Sequence, residues 1–369
     1  MRAISCGFKS HRPHSLQEHF ARFMHITVTG GAGFIGSHFI EDLLTRHPDI
    51  SITNIDAFTY AGFWHTHETL HTQFPKRYHL VEGSVTEPAL WNNILPHSDY
   101  VVHFAAESNV DLSLGDSQVF LDTNINGTHT LLEACQRHPV RRILLVSTDE
   151  VYGNAWKNRP SVESDPLMPC SPYAASKAAQ DMLAYSYYVS FGLPVVRTRC
   201  SNNYGPRQDP TKLIPRFARC ALAQARLPLY GHGQNTRDWI HVLDHVRALE
   251  MCLLGPESLN GDVFNVGANV EKSAQEVGEA ILKHLNKPLS LLEQVPDRQG
   301  HVERHAVNSE HLQKTLGWEP SISWEQGLSD TLNWYQENTR WLEKTLTAQR
   351  QKIPHYAQKY GLNHGPKES

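Results

Sequence analysis

The sequence predicts an α/β protein in which helices cover a doubly wound parallel sheet, with a smaller α/β lobe beside it. In the first half of the chain, short apolar runs alternate with stretches of helical periodicity, which is typical of βαβ units. From about Asn202 onward, proline becomes frequent and strands become less regular. That change favours a second lobe placed over the sheet.

Six apolar runs are predicted as sheet strands, and each ends where a loop rich in Gly, Ser, Asn or Asp begins: His25–Thr29, Ser51–Ile55, Tyr78–Glu82, Tyr100–Phe104, Ile143–Ser147 and Val195–Arg199. Between them, Asp116–His138 carries apolar residues at helical spacing, and so does Pro172–Phe191. Ligands of parallel sheets gather at the carboxyl ends of the strands. We therefore expect the functional residues in the loops at that edge.

The composition is that of an ordinary globular protein, with 369 residues, 40% of them hydrophobic and 20% charged. A net charge of −4 gives no reason to expect a nucleic-acid partner. No apolar stretch reaches about 18 residues, so we expect no membrane span. The six cysteines form no Cys-x-x-Cys pair, which argues against a disulfide framework and fits a reducing cytoplasm.

Histidine is abundant, and two pairs have the i, i+4 spacing that a metal site on a helix uses: His241 with His245, and His301 with His305. Neither pair has a third ligand at a recognisable spacing. We therefore interpret these histidines as surface or substrate-contacting residues and expect no metal.

A glycine-rich loop, Thr29-Gly-Gly-Ala-Gly-Phe-Ile-Gly36, directly follows the first predicted strand. Gly30 and Gly33 would let the backbone approach a pyrophosphate, and Gly36 would let the next helix pack closely. Asp56 stands at the end of the second strand, 20 residues beyond Gly36. A carboxylate there suits the adenosine ribose of NAD and would repel the 2′-phosphate of NADP. A tight turn that merely packs a helix would not require Asp56, so we predict a Rossmann-type NAD site.

Two further motifs carry candidate chemistry. Tyr173 and Lys177 are one helical turn apart, so that we expect Lys177, together with the nicotinamide charge, to lower the pKa of Tyr173 and make it a usable base. Asp149 and Glu150 follow the fifth strand, within Ser147-Thr-Asp-Glu-Val-Tyr-Gly153. Their alternative interpretation is a solvated loop. Dehydration, however, requires one group that takes a proton and one that gives a proton, which is what two adjacent carboxyl groups can supply.

The glycine loop and the Tyr-x-x-x-Lys pair resemble the extended branch of the short-chain dehydrogenase/reductase superfamily. From Met24 to about Asn338 the chain is similar to the dTDP-glucose 4,6-dehydratase family. The blocks that carry this resemblance in the first half are Asp56–Gly62, Val102–Asp111, Ser147–Gly153 and Ser201–Pro206. Later blocks look like the substrate-lobe motifs of that family: Lys212–Pro215, Leu227–Trp239, Phe264–Gly267 and Asp297–His301.

The resemblance implies a redox-neutral cycle that yields dTDP-4-keto-6-deoxyglucose. Tyr173 would act as base for oxidation at C4 by NAD while Thr148 holds the 4-oxygen. Glu150 would remove the C5 proton, Asp149 would protonate the departing C6 oxygen, and the hydride would return to C6. The five catalytic residues so implied are Thr148, Asp149, Glu150, Tyr173 and Lys177.

The resemblance also implies two sets of binding residues. Those expected at NAD are Gly30, Gly33, Phe34, Ile35, Gly36, Asp56, Thr59, Ser84, Val85, Ala105, Ala106, Ser108, Thr123, Ser147, Tyr173, Lys177 and Asn203. Those expected at the nucleotide sugar are Ser108, Thr148, Asn202, Lys212, Leu213, Pro228, Tyr230, Arg237, Asn265, Arg298 and His301. In this set Tyr230 would face the thymine, while Arg237 and Arg298 would meet the diphosphate.

Residues of this chain depart from the family pattern at Ser84, Asn109, Leu112, His232 and Gln299. These changes leave open a dehydratase for a UDP-, CDP- or GDP-linked sugar, or a UDP-sugar epimerase or decarboxylase. A catalytically idle NAD-binding sensor is the alternative from another class. Asp149 and Glu150 argue against an epimerase, which needs neither acid.

The expected organisation has four parts. Residues 1–23 would be a disordered extension, 24–200 the NAD-binding domain with some later segments returning to it, 201–338 mainly the substrate lobe, and 339–369 a polar tail that frays. The family resemblance implies a cytoplasmic homodimer that forms through the helices at Asp116–His138 and Pro172–Phe191.

Overall fold

The strands of the protein are assigned from a computed structural model that describes residues 23–297 and 300–356. In chain order they are β1 (Met24–Thr29), β2 (Ile50–Asp56), β3 (Tyr78–Glu82), β4 (Tyr100–His103), β5 (Arg142–Thr148), β6 (Val195–Cys200), β7 (Asn202–Tyr204), β8 (Leu227–Tyr230), β9 (Thr236–His241), β10 (Val263–Val266), β11 (Glu271–Ser273), β12 (Leu292–Val295) and β13 (Arg304–His305).

The α-helices cover the sheets and connect the strands. They are α1 (Phe34–Arg46), α2 (Trp64–Gln73), α3 (Pro88–Ile94), α4 (Val110–Gly115), α5 (Gln118–Phe120), α6 (Gly127–Arg137), α7 (Pro172–Phe191), α8 (Leu213–Leu222), α9 (Val242–Leu254), α10 (Ala274–His284), α11 (Glu310–Leu316), α12 (Trp324–Glu337) and α13 (Thr339–Lys352). A π-helical segment, Leu121–Asn126, joins α5 to α6. Short 3₁₀ turns include Asp149–Tyr152, directly after β5.

The large sheet has the strand order β10-β6-β5-β4-β1-β2-β3, and all of its neighbouring strands are parallel. The six predicted strands are confirmed as β1 to β6. The Phe264–Gly267 block is one of the later segments that return to the large sheet, because β10 extends that sheet beside β6 and Phe264 belongs to its hydrophobic core. Strand β10 is only four residues long, and Asn265 interrupts the continuous apolar run that a buried parallel strand usually shows.

The two predicted helices are confirmed, with one interruption. Helix α7 has the predicted bounds because Ser171 caps its amino end, Pro172 occupies its first turn and Gly192 ends it in a left-handed conformation. The segment predicted as one helix between Asp116 and His138 is instead α5, the π-helical segment and α6 in succession.

The second lobe packs helices α8, α10 and α12 around its own hydrophobic core. Phe217, Ile281, Leu332 and Tyr335 are buried in that core. Small sheets complete the lobe: β9 pairs with β7, β11 and β13, while β8 pairs with β12. Strand β7 begins two residues after β6, so the chain passes from the large sheet into the second lobe at the carboxyl edge of the large sheet.

The expectation that the polar tail frays is wrong for residues 339–352, which form helix α13. Leu342, Thr345, Leu346 and Gln349 are buried on one side of this helix. Their spacing is helical, but two of the four are polar, so the periodicity of the apolar residues alone is weak. Residues 1–22 and 357–369 lie outside the described residues.

Within the part of the chain that the structure describes, no helix is both long and apolar enough to cross a membrane.

A buried ion network joins α7 to the large sheet. The Asp181 carboxylate on α7 accepts hydrogen bonds from Arg197 Nη1 at 2.7 Å and from Arg199 Nε at 2.8 Å, both on β6. Side chains of all three residues are 5% exposed or less. Since buried charges are stable only when they are paired and hydrogen-bonded, this carboxylate is what permits two guanidinium groups beneath α7.

We predict that Asp181→Asn lowers the free energy of unfolding by about 3–5 kcal/mol, because it leaves two buried guanidinium groups without their counter-ion. Urea unfolding of the variant and the wild-type protein measures this loss. The matched control is Glu310→Gln, which breaks an exposed pair with Lys314 and should change stability little. Equal effects of the two substitutions would contradict the prediction.

Candidate active site

A deep cleft opens at the carboxyl edge of the large sheet, where ligands of such sheets bind. Every residue that the sequence assigned to the cofactor lies on its wall: Gly30, Gly33, Phe34, Ile35, Gly36, Asp56, Thr59, Ser84, Val85, Ala105, Ala106, Ser108, Thr123, Ser147, Tyr173, Lys177 and Asn203. The remaining predicted catalytic residues, Thr148, Asp149 and Glu150, line the same cleft. One site therefore collects residues that are far apart in the chain.

The glycine loop is shaped to receive an extended anionic ligand. Gly30 has a φ of 72°, and a Cβ on Gly36 would lie 2.5 Å from the Gly30 carbonyl oxygen, so neither position accepts a side chain. Gly33 caps the amino end of α1 without a side-chain hydrogen bond to the first turn. The first backbone N–H groups of α1 are thus available to phosphate oxygens at the positive end of the helix dipole.

Asp56 is fixed beside this loop. Its Oδ2 accepts a hydrogen bond from the backbone N–H of Ala32, and its Oδ1 accepts one from that of Phe58, both at 2.8 Å. Each carboxylate oxygen keeps a second lone pair for a ribose hydroxyl. The cradle and the acid together fit a dinucleotide.

The catalytic acids stand on the 3₁₀ turn at the end of β5. The Thr148 hydroxyl accepts a hydrogen bond from the Glu150 N–H at 3.3 Å and donates one to Asp149 Oδ1 at 3.4 Å. Asp149 is 3% exposed, and its Oδ2 has no hydrogen-bond partner among the described residues.

Burial raises the pKa of Asp149 well above its ordinary value, and the neighbouring charges of Glu150 and Asp238 raise it further. Arg237 acts in the opposite direction, but it is the weaker influence. The Asp149 carboxyl is therefore stabilised in its neutral form, as a proton donor must be. Glu150 is less buried and lies directly beside it.

Tyr173 and Lys177 line the cleft from α7, and both side chains are buried. Burial raises the pKa of Tyr173 well above its usual range, with Glu150 and Cys200 adding to the effect, while a hydrogen bond with Thr148 opposes it. The Lys177 ammonium donates to the carbonyl oxygen of Val146 at 2.8 Å and to the Gln180 side chain. Burial lowers the pKa of Lys177 to about 8. In the protein without its cofactor, burial therefore outweighs the groups that favour the Tyr173 phenolate, and the pKa of Tyr173 stays high.

The predicted nucleotide-sugar residues divide into two groups. Ser108, Thr148, Asn202 and Lys212 line the cleft, and the Lys212 ammonium donates to the Ser108 carbonyl oxygen at 2.9 Å. Residues outside its lining are Leu213 at the start of α8, Pro228 and Tyr230 on β8, Arg237 on β9, Asn265 on β10, and His301. Arg298 lies outside the described residues.

Arg237 still borders the site, whereas Tyr230 lies beside His301 in the second lobe. The charge of Arg237 acts on Asp149, and its guanidinium donates to the carbonyl oxygens of Thr236 and Val302. The rings of Tyr230 and His301 are 6.4 Å apart and nearly perpendicular. These side chains extend the site from the catalytic turn toward the second lobe.

In the ligand-free protein Asn265 lies outside the cleft lining, where its side chain is fully buried and hydrogen-bonded within the protein. Its Oδ1 accepts a hydrogen bond from the Tyr152 hydroxyl at 2.8 Å, and its Nδ2 donates to the Ser161 carbonyl oxygen at 3.1 Å. Asn265 therefore supports the catalytic turn from below.

Several cleft residues were not predicted from the sequence, among them Glu107, Cys200, Gln208 and Asp209. Glu107 lies within the Val102–Asp111 block, just after β4, and its position at a strand end was the available signal. Gln208 and Asp209 directly follow the block that ends at Pro206. Cys200 ends β6 and resembles an ordinary core residue, so its sequence gave no such signal.

Among the described residues, no three His, Cys, Asp or Glu side chains are grouped as a metal site would need. His241 and His245 have other partners. His241 caps α9 by accepting a hydrogen bond from the Leu243 N–H, and His245 Nδ1 is 2.8 Å from Asn203 Oδ1.

The dinucleotide cradle beside Tyr173 and Lys177 is the arrangement of the extended short-chain dehydrogenases and reductases. Within that class, the GDP-mannose 4,6 dehydratase family model matches residues 27–331. A dTDP-glucose 4,6-dehydratase of Streptomyces griseus is 43% identical over 326 residues, which are 88% of this chain and 98% of the relative. The chain belongs to the dTDP-glucose 4,6-dehydratase family.

Comparison with solved structures also supports membership of this family. The dTDP-glucose 4,6-dehydratase of Streptomyces venezuelae, crystallised with NAD bound, is 41% identical with a TM-score of 0.83, over 86% of this chain and 98% of that one. A UDP-glucose 4-epimerase of Thermus thermophilus in complex with NAD is also similar, at 30% identity and a TM-score of 0.77, over 85% of this chain and 100% of that one. The fold is therefore shared with enzymes of different activity, and the residues of the site must distinguish between them.

We predict that Asp149→Asn stabilises the ligand-free protein at neutral pH, by about 1–2 kcal/mol. The folded-state pKa of Asp149 is raised, so the folded protein binds more protons here than the unfolded chain. The stability that the neutral carboxyl contributes is therefore present below the unfolded pKa and is lost as the pH rises through the folded pKa. The amide of the Asp149→Asn variant does not ionise, so its contribution to stability does not fall as the pH rises.

Urea unfolding at several pH values measures this difference between variant and wild type, which should grow from acid toward neutral pH. Glu319→Gln, at an exposed acid, is the control and should show no such trend. A variant that is less stable than wild type at neutral pH would contradict the prediction.

Proposed function

We propose that this protein is an NAD-dependent hydro-lyase that converts dTDP-glucose to dTDP-4-keto-6-deoxyglucose and water. The observation that carries the proposal is the pair at the end of β5, where a buried Asp149 that favours its neutral form lies beside the less buried Glu150. Family membership supplies the substrate class, since the relatives described above are named for dTDP-glucose.

Residues 24–200 together with β10 would hold the cofactor, and residues 201–338 would hold most of the nucleotide sugar. Gly30, Gly33 and the amino end of α1 would receive the pyrophosphate, and Asp56 the adenosine ribose. When bound, NAD supplies the acceptor for the C4 hydride, the donor that returns it to C6, and a positive charge beside the Tyr173 phenol.

Tyr173 takes the proton of the C4 hydroxyl, and Thr148 holds the 4-oxygen. Because burial and Glu150 raise the pKa of Tyr173, the phenol stays protonated in the protein alone. Hydrogen bonding from Thr148 favours the phenolate, although burial outweighs it. The base is therefore active only when a positive charge is added to the cleft, which ties proton transfer to occupancy of the cofactor site.

Glu150 and Asp149 divide the elimination between them. The carboxylate of Glu150 takes the C5 proton, which the C4 ketone has made acidic, and the electrons of that C–H bond form the C5–C6 double bond. Asp149 gives its proton to the C6 oxygen as the C6–O bond breaks, so water leaves rather than hydroxide. The unpartnered Oδ2 of Asp149 is the oxygen available for this contact.

For the nucleotide, Lys212 and Arg237 are the described cations placed to meet a diphosphate, and Tyr230 offers an aromatic face to the base. UDP-, CDP- and GDP-linked sugars carry the same diphosphate, so the base is the part of the substrate that Tyr230 and its surroundings must select. A cytoplasmic location is proposed with this activity. It is supported by the five cysteines among the described residues, which are free thiols.

Incubation of the purified protein with dTDP-glucose tests the proposed function. Mass spectrometry should find a product lighter by one water, and the UDP-, CDP- and GDP-linked sugars in parallel incubations should react more slowly. A product of unchanged mass would indicate epimerisation and contradict the proposal. No reaction with any of the four sugars would favour an idle NAD-binding protein.

Two variants separate the roles of the acids. In deuterated water, Asp149→Asn should slow water loss by a factor of about 100 or more but should still exchange the C5 hydrogen, because Glu150 remains. Glu150→Gln should slow exchange and water loss together. Loss of exchange in Asp149→Asn with its retention in Glu150→Gln would show that the two roles are reversed.

We also propose a homodimer. Helix α7 exposes large apolar side chains along one face, where Met182, Tyr185 and Val189 follow one another at helical spacing and Val189 is 63% exposed. Val119 and Leu121, at the α5 end of the neighbouring helical segment, are exposed as well. A contiguous apolar face of this kind favours association, and a two-fold axis would bring the same face from each protomer together.

We predict that Val189→Asp converts the dimer to monomers, because it places two carboxylates in the apolar interface. Sedimentation equilibrium should show the dimer constant weakened by a factor of at least about 100. Leu289→Asp, at an equally exposed apolar residue in the second lobe, is the control and should leave the dimer intact. A wild-type protein that sediments as a monomer would contradict the proposal.

A further inference from the structure

Helix α13 ends at the rim of the cofactor cleft. There the Lys352 ammonium donates to the carbonyl oxygen of Thr59 and to that of Gly62, both at 2.8 Å. These two carbonyls belong to the loop that follows Asp56, and both residues line the cleft. A single cation therefore joins the middle of this short loop to its end.

The body of α13 is anchored, so Lys352 does not stand on a loose end. Gln349 is fully buried, and its Nε2 donates to Asp209 Oδ2 at 2.8 Å. One turn earlier, Thr345 Oγ1 is 3.1 Å from His65 Nε2 in a hydrogen bond. Leu342 and Leu346 pack beneath the same face. The helix is thus fixed to Asp209 in the wall of the cleft and to His65 at the start of α2.

The loop after β2 is irregular, and Tyr60 fixes its middle by accepting a hydrogen bond from the Ser108 N–H at 3.2 Å. Between Asp56 and Gly62 the chain forms no helix or strand, and Phe58 adopts a left-handed conformation with a φ of 48°. Non-glycine residues reach that region only under constraint. The N–H of Phe58 donates to Asp56, which fixes the start of the loop, whereas Lys352 holds the carbonyls of Thr59 and Gly62.

Charge also favours this arrangement. Lys352 lies in the last turn of α13, where the helix dipole stabilises a cation. The Asp56 carboxylate is near enough to raise the pKa of Lys352, although burial lowers it. The Lys352 ammonium therefore lies near the Asp56 carboxylate and binds two carbonyl oxygens, but it forms no direct ion pair with that carboxylate.

We infer that Lys352 is a positioning residue for NAD, which acts by holding the loop between Asp56 and Gly62 in the form that receives the adenosine half of the cofactor. This inference rests on the proposed function, since it assumes that NAD is the ligand. It assigns a role to a helix that lies beyond residue 331, where the match to the family model ends. A loop fixed before binding costs the ligand less ordering free energy, so the effect of Lys352 is on affinity.

Titration calorimetry of NAD into nucleotide-free protein tests this inference without using the dehydratase reaction. Lys352→Met should weaken NAD binding by about tenfold, since charge-assisted hydrogen bonds to the loop are lost. Lys352→Arg, which can still donate to two carbonyls, should bind NAD nearly as the wild type does. Lys344→Met removes an exposed cation of the same helix and should have no effect.

The melting temperature of the nucleotide-free variants distinguishes positioning from a general loss of structure. It should be the same for Lys352→Met and Lys344→Met. Equal NAD affinity of Lys352→Met and wild type would overturn the inference, and so would a weakened affinity that Lys352→Arg fails to restore. If the wild-type protein bound no NAD, the proposed function would fail first, and the inference with it.

Discussion

The geometry of the cleft depends on the ion network around Asp181. This carboxylate holds Arg197 and Arg199 on β6 and belongs to α7, the helix that carries Tyr173 and Lys177. Arg199 Nη1 donates to the Tyr152 hydroxyl at 2.7 Å, and that hydroxyl donates to Asn265. Tyr152 ends the turn that begins with Asp149. The base on α7 and the acids after β5 are therefore connected through one buried network below the site.

That rigidity has an electrostatic consequence. Held at the end of β5 and out of water, Asp149 favours its neutral form, while the same burial keeps Tyr173 protonated. The proton donor Asp149 and the base Tyr173 are thus buried in the same cleft. The positive charge of the bound cofactor would act most directly on the Tyr173 phenol. Lys177 is held by the β5 backbone and by Gln180, so its ammonium has a fixed place in the wall of the cleft.

Local sequence patterns predicted most of the sheet and the position of the site. Strands β1 to β6, helix α7 and the glycine loop each depend on periodicity or turn chemistry within a few residues, and the cleft at their carboxyl ends follows from parallel topology. Three features depended on distant contacts and were missed. Asn265 has buried partners, Tyr152 and Ser161, that no local sequence pattern indicates. The ammonium of Lys177 is bound by a β5 carbonyl, and α13 is ordered by burying polar side chains such as Gln349.

The central claim is that Asp149 is a neutral acid beside Glu150, which distinguishes a dehydratase from an epimerase on the same scaffold. Infrared difference spectroscopy measures this directly, because a protonated carboxyl has a C=O stretch that a carboxylate lacks. At neutral pH, the spectrum of wild type minus Asp149→Asn should contain the band of a protonated carboxyl. Its absence, with a carboxylate band in its place, would show that Asp149 is ionised and would contradict its role as the proton donor.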